Sequence, residues 1–343
     1  MHESQRKNFT MFYGKYPASR LRRLRQSSWM RDLVSETSLT PKDLIWPIFV
    51  RDEFSPADIQ GMPNVKRLTI SELQEAVQYA ADLGISSVAL FPYTPLPLRS
   101  HDGLEAVNPD NLMCRAIHAI KNLNLDIGVI TDVALDPYTD HAHDGIIING
   151  RVHNDATIEI LKRQAHIQAQ AGADVLAPSD MMDGRIGAIR GHLDENHFHD
   201  KIIMSYAVKF ASSFYGPFRS AVGAESLHGL SDKKTYQVNF SNSDEAMREI
   251  AQDIEEGADM IIIKPGLPYS DVIHRAKQKF NIPIIAYQVS GEYSMIKAAA
   301  ANGWIDGTKA MLESLMCLKR AGASGIFTYA APEMAELLSA VMV

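Results

Sequence analysis

Cysteine is almost missing from this chain: only Cys114 and Cys317 occur in 343 residues. Two thiols cannot build a disulfide framework and are too few for a cysteine-built zinc site, so a reducing cytoplasm is the expected compartment. Positive charge is not in excess either. The net charge of −7 argues against a general nucleic-acid binder. No apolar run reaches the roughly 18 residues that a membrane-spanning helix needs, so no membrane partner is expected. No Gly-rich dinucleotide turn follows the first strand-like run, which removes the usual mark of a doubly wound nucleotide-binding sheet. Solenoid repeats and low-complexity segments are absent. What remains, 46% hydrophobic and 22% charged residues, is ordinary for a globular enzyme.

Short β-rich runs alternate with helical patterns from about residue 44 onward. The pattern predicts strands at 44–50, 87–91, 126–132, 174–178, 202–208, 260–264, 284–288 and 325–329. These runs are nearly all apolar, as strands buried on both faces should be. Helices are predicted at 71–83, 111–121, 156–171, 243–256, 270–279 and 308–321, the first opening at Ser71 with Glu72 and Glu75 in its first turn. Gly84, Gly172, Gly257 and Gly322 stand where helix C-caps prefer glycine. Eight strand–helix units predict an α/β fold, a parallel (β/α)8 TIM barrel, over residues 41–343. Residues 1–40, basic at Arg20, Arg22, Arg23 and Arg25, read as an N-terminal arm that packs on a neighbouring subunit rather than as a cleaved leader. Two connections are long, 133–154 and 210–242. The second reads as a lid around 210–240.

Barrel enzymes carry their working residues at the C-terminal ends of the strands. Polar residues fall there repeatedly: Asp132, Ser179 and Asp180, Lys209, Lys264, Ser290 and Tyr329. Any one Ser or Asp after a strand can simply cap the next helix, but their convergence on one rim points to a site. Lys209 and Lys264 each end an apolar run. Lysine is costly to bury, and a desolvated amine beside another cation becomes a nucleophile toward carbonyls. A single strand-end lysine can equally pair with a carboxylate. Two together favour Schiff-base chemistry and predict a pair of uncharged amines in one dry cavity. In the loop after the third strand, His141 and His143 lie among Asp136, Asp140 and Asp144. Such a set holds either a divalent metal or only polar contacts. Arg219 and Lys233, with Gln237 just after, fall in the expected lid, where cations either clamp a carboxylate or stay solvated.

Four segments, 177–185, 206–219, 263–269 and 287–293, closely resemble the porphobilinogen synthase (delta-aminolevulinic acid dehydratase) family, and the resemblance covers nearly the whole chain. It implies a homo-octamer built from arm-embraced dimers, with 5-aminolevulinate as substrate and tetrapyrrole biosynthesis as the setting. It implies that Lys264 holds the P-side substrate as a Schiff base and that Lys209 holds the A-side one. Arg219 and Lys233, supported by Gln237, would bind the A-side carboxylate. Ser290 and Tyr329 would bind the P-side carboxylate, and Asp132 and Ser179 would line the pocket near the P-side amino group.

One departure matters. Zinc-using relatives carry three cysteines in the loop after the third strand, where this chain has Ala134, Asp136 and Asp144. Carboxylates favour hard ions over zinc. No active-site zinc is therefore expected, Asp136 and Asp144 remain candidate ligands for another ion, and the loop resembles that of the magnesium-responsive branch. Glu249 matches that branch's allosteric magnesium ligand, or else is a solvated helix glutamate. Three other readings compete: an aldolase, which leaves Lys209 idle; a metal-dependent hydrolase on His141 and His143; and a non-catalytic assembly protein.

Overall fold

The computed structural model describes residues 14–224 and 232–341. Residues 225–231 of the expected lid, Gly229 among them, and the first 13 residues of the expected arm lie outside the described residues. Contacts divide the chain after Ser38. The first unit contains a 3-10 turn, Leu21–Arg25, and a short helix, Ser28–Leu33. Leu21, Trp29 and Leu33 are exposed on it.

The second unit is a closed parallel barrel. Its strands are β1 (Leu44–Val50), β2 (Ser87–Pro92), β3 (Gly128–Val133), β4 (Val175–Pro178), β5 (Ile202–Lys209), β6 (Met260–Lys264), β7 (Ile284–Tyr287) and β8 (Gly325–Phe327). Each pairs with the next in parallel, and β8 returns to β1 through Leu44 with Ile326 and Ile45 with Phe327. The expected eight-stranded TIM barrel is therefore what forms. Apolar residues on both faces of each strand drive it, because one face fills the barrel and the other meets the helices. In β6, Ile261, Ile262 and Ile263 are fully buried. Each contributes roughly 1.5–3 kcal/mol, so together they can carry the cost of a desolvated lysine at the end of the same strand.

The helices of this unit are α1 (Ile70–Asp82), α2 (Leu112–Lys121), α3 (Asn154–Ala171), α4 (Arg185–Glu195), α5 (Gly216–Val222), α6 (Ser243–Glu255), α7 (Ser270–Lys279), α8 (Ser290–Ala301), α9 (Gly307–Ala321) and α10 (Ala331–Val341). Helix α1 is capped by Thr69 rather than started by Ser71. The Thr69 hydroxyl accepts from the Glu72 amide, and the Glu72 carboxylate accepts from the Thr69 amide, a reciprocal capping box. The loop after β3 is less open than expected, since Ile147–Ile148 and Arg151–Val152 pair as a small antiparallel hairpin. At the start of α8, glycine is required: a Cβ on Gly291 would lie 2.5 Å from the carbonyl oxygen of Phe214. This close approach seats the base of the lid segment on α8.

Candidate active site

Lys209 and Lys264 are register partners on adjacent parallel strands, which places their Cα atoms about 5 Å apart. A bulge produces this pairing. Between Ser205 and Val208, β5 spends one more residue than β6 does between Ile261 and Ile263. A regular strand would set Lys209 opposite position 265; the extra residue sets it opposite Lys264, re-aiming the side chain as bulges near sites do.

The two amines have different surroundings. Lys264 is 3% exposed and makes no hydrogen bond or ion pair among the described residues. Its Nζ instead sits among aromatic rings, 4.3 Å from the centroid of Tyr287, 4.6 Å from Phe218, 5.1 Å from Tyr206 and 5.6 Å from Tyr215. Burial, and then the neighbouring charge of Lys209, lower its pKa to about 7, against the opposing pull of Asp132. Lys209 departs from the expectation of two uncharged amines. Its Nζ donates to Asp144 Oδ1 at 2.9 Å and to the Ser179 carbonyl at 2.6 Å. It is ion-paired with a fully buried carboxylate, and as the adjacent cation it favours a neutral Lys264.

Asp144 is the hub of this polar half. Its Oδ2 accepts from Lys233 Nζ at 2.6 Å and from the Tyr236 hydroxyl at 2.9 Å. Burial alone would raise its pKa, but Lys209 and Lys233 outweigh burial and hold it well below the usual carboxylate range. Lys233 also reaches Asp136 at 3.2 Å. Lys233, an expected carboxylate clamp, thus rests between two carboxylates. Asp144 has both oxygens on lysines and Asp136 has Oδ2 on Lys233, so a cation placed at these two candidate ligands would compete with ammonium groups. Asp132 differs from both. One of its buried oxygens has no partner. Burial, then Asp136, raise its pKa to about 7, while Lys209 and Lys264 pull it down. A carboxyl group and an amine that both titrate near neutrality suit proton exchange.

The other predicted residues spread around this centre. The Ser179 carbonyl is fixed by Lys209, as above, and its side chain is close enough to Asp132 to help lower that carboxyl's pKa. Ser290 opens α8, and its buried hydroxyl accepts from the Phe218 amide at 3.0 Å. The Tyr329 hydroxyl lies 3.1 Å from that of Tyr287. Arg219, on α5, is exposed and makes no hydrogen bond or ion pair among the described residues. Gln237 is buried and lines a cavity of about 780 Å³ together with Tyr236, Asp183, Glu245 and Glu249. Glu249 therefore lies apart from the lysines, on α6. Its pKa is raised by burial, then by Asp253, with Asp183 and Glu245 adding to this and Arg185 opposing it.

Among the described residues, metal-ligand spacing falls on His101, Asp140 and His141 and does not include His143. Yet His141 has both ring nitrogens committed, accepting from the His143 amide at 3.2 Å and donating to the His101 carbonyl at 3.1 Å.

Several working groups were not foreseen. The aromatic cover of Lys264 reads in the sequence as ordinary core. Nothing in the sequence around Tyr236, in the expected lid, marks it as a partner of Asp144. Glu292, 1% exposed, accepts from the amides of Gly266, Leu267 and Val289 at 3.3, 2.7 and 2.8 Å. It ties the loop after Lys264 to the loop before Ser290. Burial raises its pKa to about 7 despite those three donors.

Comparison with known proteins places this geometry. The family profile described as delta-aminolevulinic acid dehydratase matches residues 18–337. The delta-aminolevulinic acid dehydratase of Bradyrhizobium diazoefficiens is 53% identical, over 94% of this chain and 91% of its own length. That of Rhodobacter capsulatus is 48% identical, over 96% and 100%. The crystal structure of delta-aminolevulinic acid dehydratase (porphobilinogen synthase) from Toxoplasma gondii, in complex with the reaction product porphobilinogen, superposes with a TM-score of 0.91 at 46% identity, covering 93% of this chain and 91% of that one.

Proposed function

Because the chain belongs to the delta-aminolevulinic acid dehydratase family, we propose that Lys264 and Lys209 hold its two substrate molecules side by side as imines. The reaction is the condensation of two molecules of 5-aminolevulinate to porphobilinogen with loss of two waters. The observation that carries the reading is the desolvated, unpaired amine of Lys264 set next to the charged amine of Lys209. Neutral Lys264 attacks the ketone carbon of the P-side substrate. The carbinolamine then loses its hydroxyl as water, with Asp132 placed to give and take the proton. Lys209 must first release a proton to attack the A-side ketone. Asp144, Lys233 and Tyr236 hold it in place until then. Tethering both ketones turns a bimolecular encounter into an oriented intramolecular step. Arg219, the cation left free at the mouth, suits the A-side carboxylate, with Gln237 in support. Ser290 and Tyr329, on the Lys264 side, suit the P-side carboxylate.

Borohydride reduction in the presence of 5-aminolevulinate, followed by peptide mass mapping, tests this. A reduced adduct is expected on the peptide that carries Lys264, and with no adduct on either lysine the reading fails.

Magnesium belongs to the Glu249 cavity. Asp183, Glu245 and Glu249 line one cavity of about 780 Å³, room for a hard cation that keeps several waters. Bound there, the ion would relieve the repulsion that raises the Glu249 pKa. This is how we read the chain as a member of the magnesium-responsive branch that needs no active-site zinc. Magnesium should raise activity or favour the larger assembly, and Glu249→Ala should blunt that response. An unchanged magnesium titration of the variant, followed by activity and by sedimentation, would take Glu249 out of the site. The exposed Trp29 and Leu33 of the arm suit packing against another subunit in a homo-octamer. The free thiols suit the cytoplasm. Among the described residues no helix is long and apolar enough to cross a membrane.

A further inference from the structure

Helix α5 has only seven residues and carries both Phe218 and Arg219. So short a helix leaves most of its C-terminal carbonyls to outside donors. Two arginines from the opposite side of the barrel mouth supply them. Arg67, in a two-residue strand segment that pairs with the end of β1, donates from Nη2 to the Ser220 carbonyl at 2.6 Å and from Nε to the Ala221 carbonyl at 2.7 Å. Arg99, after β2, donates from Nη2 to the Val222 carbonyl at 3.0 Å and from Nη1 to the Gly223 carbonyl at 2.5 Å. Four consecutive carbonyls are thus held by two guanidinium forks, with cationic charge at the negative end of the helix.

Both arginines are themselves braced. Arg67 is 5% exposed, lies 4.5 Å from the Tyr93 ring and donates to the carbonyls of Pro56 and Asp58. Arg99 donates to the Thr94 carbonyl at 2.7 Å. The helix ends at Gly223, whose φ is +67° and where a Cβ would lie 2.5 Å from Arg99 Nη2; only glycine leaves room for the fork there. Nearer its start, α5 is pinned by the Phe218 amide on Ser290. Between the two anchors the Phe218 ring lies 4.6 Å from Lys264 Nζ and meets Phe91 edge-on at 5.4 Å.

We propose that Arg67 and Arg99 act as a latch on the C-terminal end of α5, holding the Phe218 cover shut over Lys264. They are positioning residues: they touch neither lysine, and they act through the helix that keeps water off the reactive amine. The inference rests on the reading of Lys264 as an imine-forming nucleophile. If the latch opens, water reaches Lys264 and its proton is held more tightly. The charged groups around the amine, Lys209 on β5, Asp132 on β3, and Asp136 and Asp144 in the loop after it, stay in place when the latch is cut. So do the hydroxyls of Tyr206, Tyr215 and Tyr287.

The test is the pH dependence of borohydride trapping on Lys264 with 5-aminolevulinate in wild type, Arg67→Met, Arg99→Met, Arg99→Lys and Phe218→Ala. In the two Met variants the acid-side midpoint should move up by about one pH unit. Phe218→Ala should give a similar shift with the latch intact, and Arg99→Lys an intermediate one. The partly exposed Arg99 carries the test should buried Arg67→Met fail to fold. Slower trapping with the midpoint unmoved in Arg99→Met would overturn the latch, since a general loss of structure lowers rates without retuning one amine. No adduct on Lys264 in the wild type would instead defeat the Schiff-base reading. Amide exchange of residues 216–223, faster in Arg99→Met than in wild type, would then still support the latch, and unchanged exchange would overturn it as well.

Discussion

Replacing Lys264 with Met should abolish turnover and make the protein more stable. The loss of rate should be on the order of 10⁴-fold or more, because the proposed mechanism makes this amine the nucleophile and no other group within its aromatic surround can form an imine. The gain in stability follows from the same surround. Wild type keeps an amine where burial and Lys209 lower its pKa from 10.5 to about 7. Between those values the unfolded chain binds a proton that the folded chain does not. The folded state therefore carries a cost that is full below about pH 7 and disappears as pH rises toward 10.5. Methionine has a similar volume and no charge, and its sulfur packs well against aromatic rings. The expected gain is about 2–4 kcal/mol at pH 7, shrinking steadily by pH 9. Thermal denaturation at both pH values, beside an activity assay, checks it. A variant that is inactive and also less stable than wild type at pH 7 would mean that Lys264 is held by favourable contacts and is not a strained nucleophile.

The barrel was largely legible because its strands are nearly pure apolar runs with sharp ends. β1 and β6 occupy the predicted residues, and the others differ by one or two residues at an end. The helices were less legible for reasons that lie in their sequences. Helix α4 contains Gly187 and Gly191 and shows little apolar periodicity. Helix α8 buries only Ser290, Glu292 and Tyr293. Neither offers the apolar stripe that marks a helix. The site divides along a similar line. Two lysines at strand ends were visible because the cost of burying lysine is a local property of the residue. Their different states were not, because the decisive partners are remote in sequence. Asp144 is 65 residues from Lys209, and the bulge that aligns the lysines shows only once β5 is set beside β6. The carbonyl ends of α5, likewise, gave no hint that arginines more than 120 residues earlier would hold them.

Asp144→Asn should be the most destabilising conservative change in the pocket, by about 3–5 kcal/mol. The carboxylate is fully buried, and it meets Lys209 Nζ at 2.9 Å and Lys233 Nζ at 2.6 Å. Among the described residues, an amide would leave two desolvated ammonium groups with one remaining ion-pair contact, Asp136 at 3.2 Å from Lys233. Uncompensated buried charge, rather than the loss of one hydrogen bond, sets the size of the effect, since a neutral bond would be worth only about 1 kcal/mol. Lys233→Met should cost less, because Asp144 keeps Lys209 and Tyr236. The pH dependence carries a sign. The folded pKa of Asp144 is depressed, so its contribution is present above the unfolded carboxylate value near 4 and drains away as pH falls through the lower folded value. Wild type and variant should therefore differ most at neutral pH and converge in acid. Catalysis should move the other way on the pH axis. Without Asp144, Lys264 loses a nearby negative charge and sheds its proton more readily, so the acid limb of the rate profile should shift to lower pH while the plateau falls as Lys209 loses its orientation. Urea unfolding at pH 7 and pH 4, together with a pH–rate profile, measures both effects. Equal stability at pH 7 would mean that Lys209 is already neutral in the resting protein, and the division of labour between a charged and an uncharged lysine would have to be abandoned.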